Sequence, residues 1–361
     1  MSRIRRFGEP RDDAMSTTGG VALGIELEDA LTVAPAEGRL AAWTSKLVRD
    51  PRDVPFVWLT AAALLTLVPM GVLAYVPGVM SPWYALAYFA VLFVFFLDRY
   101  ILMLHCTSHR RLFVPKLGFL NHVIPVVLAP FMGQTPYTYF AHHMGMHHPE
   151  NNLEDDLSST MRFQRDSFVD FMRYFGTFFF AGIFQLTRYH WKRKQMKLFR
   201  MALFGELSWY LLVVGLGFVA LVPTLVIFVV PFVLVRFLMM AGNWSQHAFI
   251  DARDTANPYK NSITSINTRY NRRCFNDGYH IGHHVKANRH WTEMPKDFVD
   301  NIERYRDEGA VVFSGVDYFQ IWFMLMLKRY DALAKRFVDL RQDKRSHAEI
   351  VAFLRERTQR I

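Results

Sequence analysis

The chain has 361 residues, with 42 basic and 32 acidic side chains and a formal net charge of +10. Apolar residues reach 52 % while charged ones are only 20 %, and there are 32 Phe, 17 Met and 8 Trp. That balance excludes a disordered, collagenous or disulfide-rich chain and demands a large buried face or lipid; the two cysteines, Cys106 and Cys274, make no framework or finger.

In chain order, residues 1–50 read as a cytosolic N-terminal arm, flexible over its first 40 residues and without the apolar run of a signal peptide. Val54 to Leu97 carries no charge and is broken by Pro77-Gly78 and Ser81-Pro82. A spanning helix needs about 20 residues, so two are expected, at 55–76 and 83–103. Leu117 to Phe131, interrupted by Pro125 and Pro130, reads as interfacial or re-entrant. Phe168 to Leu186, aromatic but carrying Asp170 and Arg173, reads as a helix lying in the interface. Between Glu206 and Arg236 charge is again absent, and Pro223 divides helices expected at 203–222 and 224–241. None of these helices shows His, Asp or Glu near its centre, which argues against a metal transporter. Val311 to Leu327 reads as an interfacial helix or one packed on the cytosolic part, within a cytosolic, helical C-terminal segment at 301–361.

Charge supplies the orientation. Lys46, Arg49 and Arg52 precede the first hairpin, and Arg99, Arg110, Arg111 and Lys116 follow it. A basic run from Arg188 to Arg200 precedes the second, while neither hairpin connection holds Lys or Arg. Positive residues stay inside, so both termini and the long middle segment belong in the cytosol. The net charge suits an anionic membrane surface, of a bacterial inner membrane or the endoplasmic reticulum alike, and no nucleic-acid module competes. The expected fold is an all-α integral membrane protein. Its membrane domain, at 51–300, has four transmembrane helices in two hairpins and a cytosolic helical cap.

The 14 histidines cluster. His105 and His109 lie in HCTSH, His142, His143, His147 and His148 in AHHMGMHHPE, His247 in NWSQH, and His280, His283 and His284 in YHIGHH. Residues four apart share a helix face, so each cluster can aim imidazoles at one point, and all fall on the cytosolic side near helix ends. Imidazole suits Zn, Fe, Cu and Ni. One zinc takes about four ligands, so nine or ten histidines point to two metals, and a histidine-rich pair of irons is the best reading.

The boxes resemble those of the integral-membrane fatty acid desaturase and hydroxylase superfamily, which includes the membrane alkane hydroxylases, over roughly residues 50–300. HxxxH falls on His105 and His109, HxxxHH on His143, His147 and His148, and HxxHH on His280, His283 and His284. NWSQH resembles the element between the second and third boxes and supplies Asn243 and His247. The resemblance implies that these nine histidines hold two irons and act with O2 as co-substrate, with Asn243 binding through a water. His142 offers an alternative to His143 in a longer spacing. Three departures disfavour particular subfamilies. The first box has three intervening residues rather than four, the third begins with His rather than Gln, and no HPGG haem element is present.

Glu150, Asp155, Asp156, Asp251 and Asp277 are candidates to accept the second N–H of a metal-bound imidazole. Asp98-Arg99 either supports His105 or anchors its helix. Trp244, Tyr279 and Trp291 read as channel mouth or aromatic belt, with Trp291 in the belt. An unactivated methylene needs an iron–oxygen oxidant rather than acid–base groups. The implied activity is an O2-dependent di-iron desaturation that introduces a double bond into a long acyl chain, carried as a lipid or acyl thioester. The alternative is a membrane di-iron hydroxylase or monooxygenase of alkanes, sterols, carotenoids or sphingoid chains. No flavin or nicotinamide fingerprint occurs, so electrons come from a ferredoxin, rubredoxin or cytochrome b5 partner, docking on Arg188–Arg200 and Arg269–Arg273.

Overall fold

A computed structural model describes residues 25–361, which are mostly helical; the first part of the expected arm, 1–24, lies outside the described residues. From residue 25 the arm is docked rather than loose. Leu27 is buried, and Asp29 Oδ2 accepts from Asn271 Nδ2 and Tyr279 Oη, each at 2.8 Å. A short charged segment can dock because one oxygen of its buried carboxylate, Asp29 Oδ2, gathers three donors, Asn267 N being the third at 2.7 Å.

Three apolar helices come first: α1 (Pro51–Leu73), α2 (Pro82–His109) and α3 (Pro115–Met132). Asp50 caps α1 through Arg52 N, and Ser81 caps α2 through Tyr84 N. They are followed by α4 (138–150) and by α5 (168–192). The second apolar pair is α6 (Met196–Val219) and α7 (Leu221–Gln246). Five helices, α1, α2, α3, α6 and α7, are thus long and apolar enough to cross a membrane, against the four expected. The additional one is α3, whose prolines sit in tighter and wider turns without ending it.

The contacts of α3 show where it goes. A Cβ on Gly71 would lie 2.5 Å from the ring of Phe131, and Tyr88 Oη donates to Phe131 O at 3.2 Å. Gly71 is roughly 30 Å along α1 from Pro51, at 1.5 Å per residue, so α3 runs deep between α1 and α2. Gly133, at φ 69°, turns the chain back. A Cβ there would meet Pro231 O at 2.5 Å, so both conformation and space require glycine. α4 then returns to the C-terminal end of α2.

Both helices of the second pair are longer than their apolar runs. Glu206 therefore lies near the middle of α6, not at its end as the charge-free run implied, and it is buried against Arg236 of α7. A buried ion pair keeps both charges tolerable inside a span. α5 is two-faced: Phe180 and Phe184 are exposed, while Phe171, Tyr174 and Leu186 are buried.

Beyond α7 the chain is not all helical. β1 (Ile263–Ile266) precedes α8 (His280–Val285), and β2 (Val311–Ser314) pairs with β1 in parallel, Ile263 opposite Val311. The apolar stretch at 311–327 is thus a strand followed by α9 (Tyr318–Met326), not one helix. β-Branched Val311 and Val312 suit the pleat. Gly315, at φ 72°, ends it, and an Asp317–Gln320 capping box starts the helix. α10 (His347–Arg357) closes the chain onto this unit. Buried Arg165 ties its own loop to two distant segments, donating to Met161 O at 3.1 Å, Ala248 O at 3.0 Å and Arg357 O at 3.2 Å.

Candidate metal centre

The sequence positions the boxes through local geometry. His105 and His109 lie one turn apart at the end of α2. In α4, residues His143–His147 wind in a wider turn closed by i→i+5 bonds. In a regular helix a residue five positions on would point about 140° away; the wider turn brings His148 Nε2 to 3.1 Å from His143 Nε2. Gly145 lets this helix pack closely, since a Cβ would lie 2.9 Å from His190 Cε1. α8 presents His280, His283 and His284 after Gly278, whose carbonyl accepts from Ser265 N of β1 at 2.7 Å and where a Cβ would lie 2.3 Å from Ser265 O.

Nine histidines converge in two groups. Nε2 atoms follow one another from His109 to His143 (3.0 Å), to His148 (3.1 Å), to His283 (3.0 Å) and to His105 (2.9 Å). His147, His247 and His284 form the second group, with ligand atoms within 4.8 Å. His280 joins it, its Nε2 3.0 Å from His284 Nε2 and 3.3 Å from His247 Nε2.

The donor chemistry fits metal ions. His105 Nδ1 donates to Asp277 at 3.0 Å, His147 Nδ1 to Asp156 at 2.7 Å and His247 Nδ1 to Asn261 O at 2.8 Å. A neutral imidazole has one N–H, so the Nε2 atoms of these three present bare lone pairs. His143 and His283 each face two other Nε2 atoms, and one proton cannot serve both contacts. Two nitrogens bound to one ion at about 2.1 Å lie roughly 3.0–3.4 Å apart, which is the spacing found. Burial, reinforced by neighbouring imidazoles, holds His143, His148, His280, His283 and His284 below the ordinary imidazole range and His247 at about 3. They are neutral lone-pair donors at neutral pH. Burial opposes ionisation of Asp156, yet His147 and Ser158 hold its carboxyl below the usual range, so it is an acceptor.

Other expected residues part company with the centre. Asn243 is half-buried and donates to Ser158 O at 3.1 Å and Tyr174 Oη at 2.7 Å, not to a histidine, although it lies on the cavity beside them. His142 stays outside both groups; its Nε2 is buried without a partner. Of the five acids, Asp156 and Asp277 support histidines, whereas Glu150 and Asp155 pair with Arg193 and Asp251 with Arg253 and Arg357. Asp98 pairs with Arg273 rather than supporting His105. Trp291 packs on Phe275 and donates to Asp53, at the start of α1, at 3.1 Å. Trp244 and Tyr279 are buried.

A cavity of about 420 Å³ reaches from His105, His143, His147 and His280 to Phe93, Ile101, Ile183 and Met239. Its wall also includes Glu206 and Arg236. The sequence carried that signal as the two charges bounding an otherwise uncharged run, but not their meeting.

The family model described as fatty acid desaturase matches residues 81–316, well over half of the chain and all three boxes. No curated protein and no solved structure matches.

Proposed function

The chain belongs to the fatty acid desaturase family, and from that premise we propose that it desaturates a long acyl chain with O2. The convergence of nine imidazoles beside a largely apolar cavity carries this reading. His105, His109, His143, His148 and His283 would hold one iron, and His147, His247, His280 and His284 the other. Asn243 would contribute its carbonyl oxygen through a water, its amide nitrogen being engaged. Bound there, two irons would supply the reduction of O2 that attack on an unactivated methylene requires. The acyl chain loses two hydrogens, and two electrons and two protons from outside complete the reduction of O2 to two waters.

The chain's own part is positioning. The apolar wall keeps water away and fixes one stretch of alkyl chain against the histidines. Asp156 and Asp277 hold the Nδ1 protons of His147 and His105, which aims Nε2 inward. Exposed basic residues between Arg188 and Arg200 and between Arg269 and Arg273 suit an acidic ferredoxin, rubredoxin or cytochrome b5.

In this reading the membrane domain spans 51–300, and α1, α2, α6 and α7 make the four crossings. α3 is re-entrant, because the residues either side of it, His109 and His143, lie 3.0 Å apart at Nε2. The boxes, both termini and the 301–361 segment are cytosolic. Expression in a host with a suitable reductase, followed by lipid mass spectrometry, tests the activity. An acyl species lighter by two hydrogens is expected; one heavier by an oxygen moves the reading to hydroxylation, and no O2-dependent product sinks it. Cysteine labelling at residue 283 from the cytosolic side tests the topology.

A further inference from the structure

The large cavity carries a polar patch that neither iron nor a plain alkyl chain uses. Glu206 (2 % exposed) is paired with Arg236, and Thr135 Oγ1 donates to Glu206 Oε1 at 2.7 Å. These three line the cavity together with Thr138 and His142. Three of the patch's polar atoms are buried with no partner: Glu206 Oε2, Thr138 Oγ1 and His142 Nε2. The patch adjoins the four-histidine group. The Arg236 guanidinium is 5.9 Å from the Phe178 ring, Phe178 is 5.8 Å from His142, and His142 is 6.3 Å from His147.

Unpartnered buried polar atoms on a cavity wall define what would complete them. Glu206 Oε2 needs a hydrogen-bond donor. A hydrocarbon offers nothing, and an ester or thioester carbonyl only accepts. A carboxylate would face Glu206, with Arg236 already engaged. A hydroxyl can meet either need, donating to a carboxylate oxygen such as Glu206 Oε2 or accepting from a hydroxyl such as Thr138 Oγ1.

We propose that this patch binds an uncharged hydroxyl group of the substrate, so that the chain taken is a hydroxylated alkyl chain held close to the attacked carbon. The inference rests on the reading of this cavity as the substrate site. The hydroxyl can be terminal, as in a head group, or within the chain.

The test is equilibrium displacement of radiolabelled 1-dodecanol from the metal-loaded, detergent-solubilised protein by dodecane, 1-dodecanol and 6-dodecanol. One alcohol should compete about tenfold better than dodecane, the scale of one or two buried hydrogen bonds, and which alcohol wins assigns the hydroxyl as terminal or internal. Thr138→Val should reduce the alcohol-to-alkane ratio about fivefold or more while leaving dodecane binding within about twofold, and Thr138→Ser should restore it. Comparing ratios between variants cancels differences in solubility. Metal content and dodecane binding report an intact fold; if Thr138→Val loses them, Thr138→Ala serves in its place. A ratio unchanged by these substitutions, or alcohols no better than dodecane, overturns the proposal. Because binding is read without turnover, failure of oxidation leaves this result standing. An oxidised acyl chain with no preference for hydroxyl removes this inference alone.

Discussion

In the five-histidine group only His105 has its outer nitrogen tied to a carboxylate among the described residues, whereas the four-histidine group fixes both His147, on Asp156, and His247, on Asn261 O. His143 of the larger group is steadied instead by stacking on Tyr139, with centroids 5.0 Å apart. A small pocket of about 30 Å³, separate from the large cavity, opens beside His109 and His283. His247 and His280 are more deeply buried than any histidine of the larger group, and Asp156 is itself held by Asn152 N, Ser158 N and Ser158 Oγ. An imidazole locked in tautomer and direction loses little freedom on binding a metal; an untied one must be ordered by the ion. The smaller group is therefore the more preorganised of the two candidate sites, and the larger one would hold a metal more labilely.

The contrast can be broken at its strongest point first. His247→Ala should remove about one metal equivalent and lower turnover by more than about 100-fold, beyond the range usual for a supporting residue; full activity with both metals retained would take His247 out of the site. Asp156→Asn frees the His147 tautomer and should weaken the smaller site by about 10–100-fold in chelator competition while sparing the larger. Asp277→Asn acts on one of five ligands, so about a tenfold loss confined to the larger site is expected. Release of both metals in either variant would show that the two groups do not load independently. Gly145→Ala places a Cβ 2.7 Å from Leu198 Cδ1. It should cost about 1–3 kcal/mol in thermal unfolding, lowering both occupancies alike because α4 feeds both groups. His142→Ala should leave metal content unchanged, and loss of an ion there would return His142 to the ligand set.

The boxes were legible because their spacing is a local property. Four-residue steps and helix ends predict which imidazoles share a direction, and all nine meet. The choice of His143 over His142 was not, since it depends on the wider turn within α4. Nor could spacing separate Asp156 and Asp277 from Glu150, Asp155 and Asp251, because arginines elsewhere in the fold claim the latter three. Asn243 and His247 look alike on a helical wheel, but His247 sits just past the end of α7, at φ −122°, and its ring turns away from Asn243's partners. The apolar runs located the helices, while their ends ran on into charged sequence and carried Glu206 and Arg236 inward. The strand at Val311–Ser314 was hidden because a short apolar run has no period to read, and only its pairing with Ile263–Ile266 decides it.

The pairing of β1 with β2, and the grip of Arg165 on the carbonyl of Arg357, give the order of biosynthesis a part in building the centre. All nine histidines have been synthesised once residue 284 is added, yet the segments that pin β1 and the residues after His247 are synthesised last. At about 5–20 residues per second, the interval from residue 284 to 358 lasts roughly 4–15 s. During it the helices can enter the bilayer while the third box has no fixed place beside the other two. An incoming metal would accordingly meet the complete set of imidazoles only in the finished polypeptide, and a nascent chain stalled before β2 would lack the strand that pins the third box.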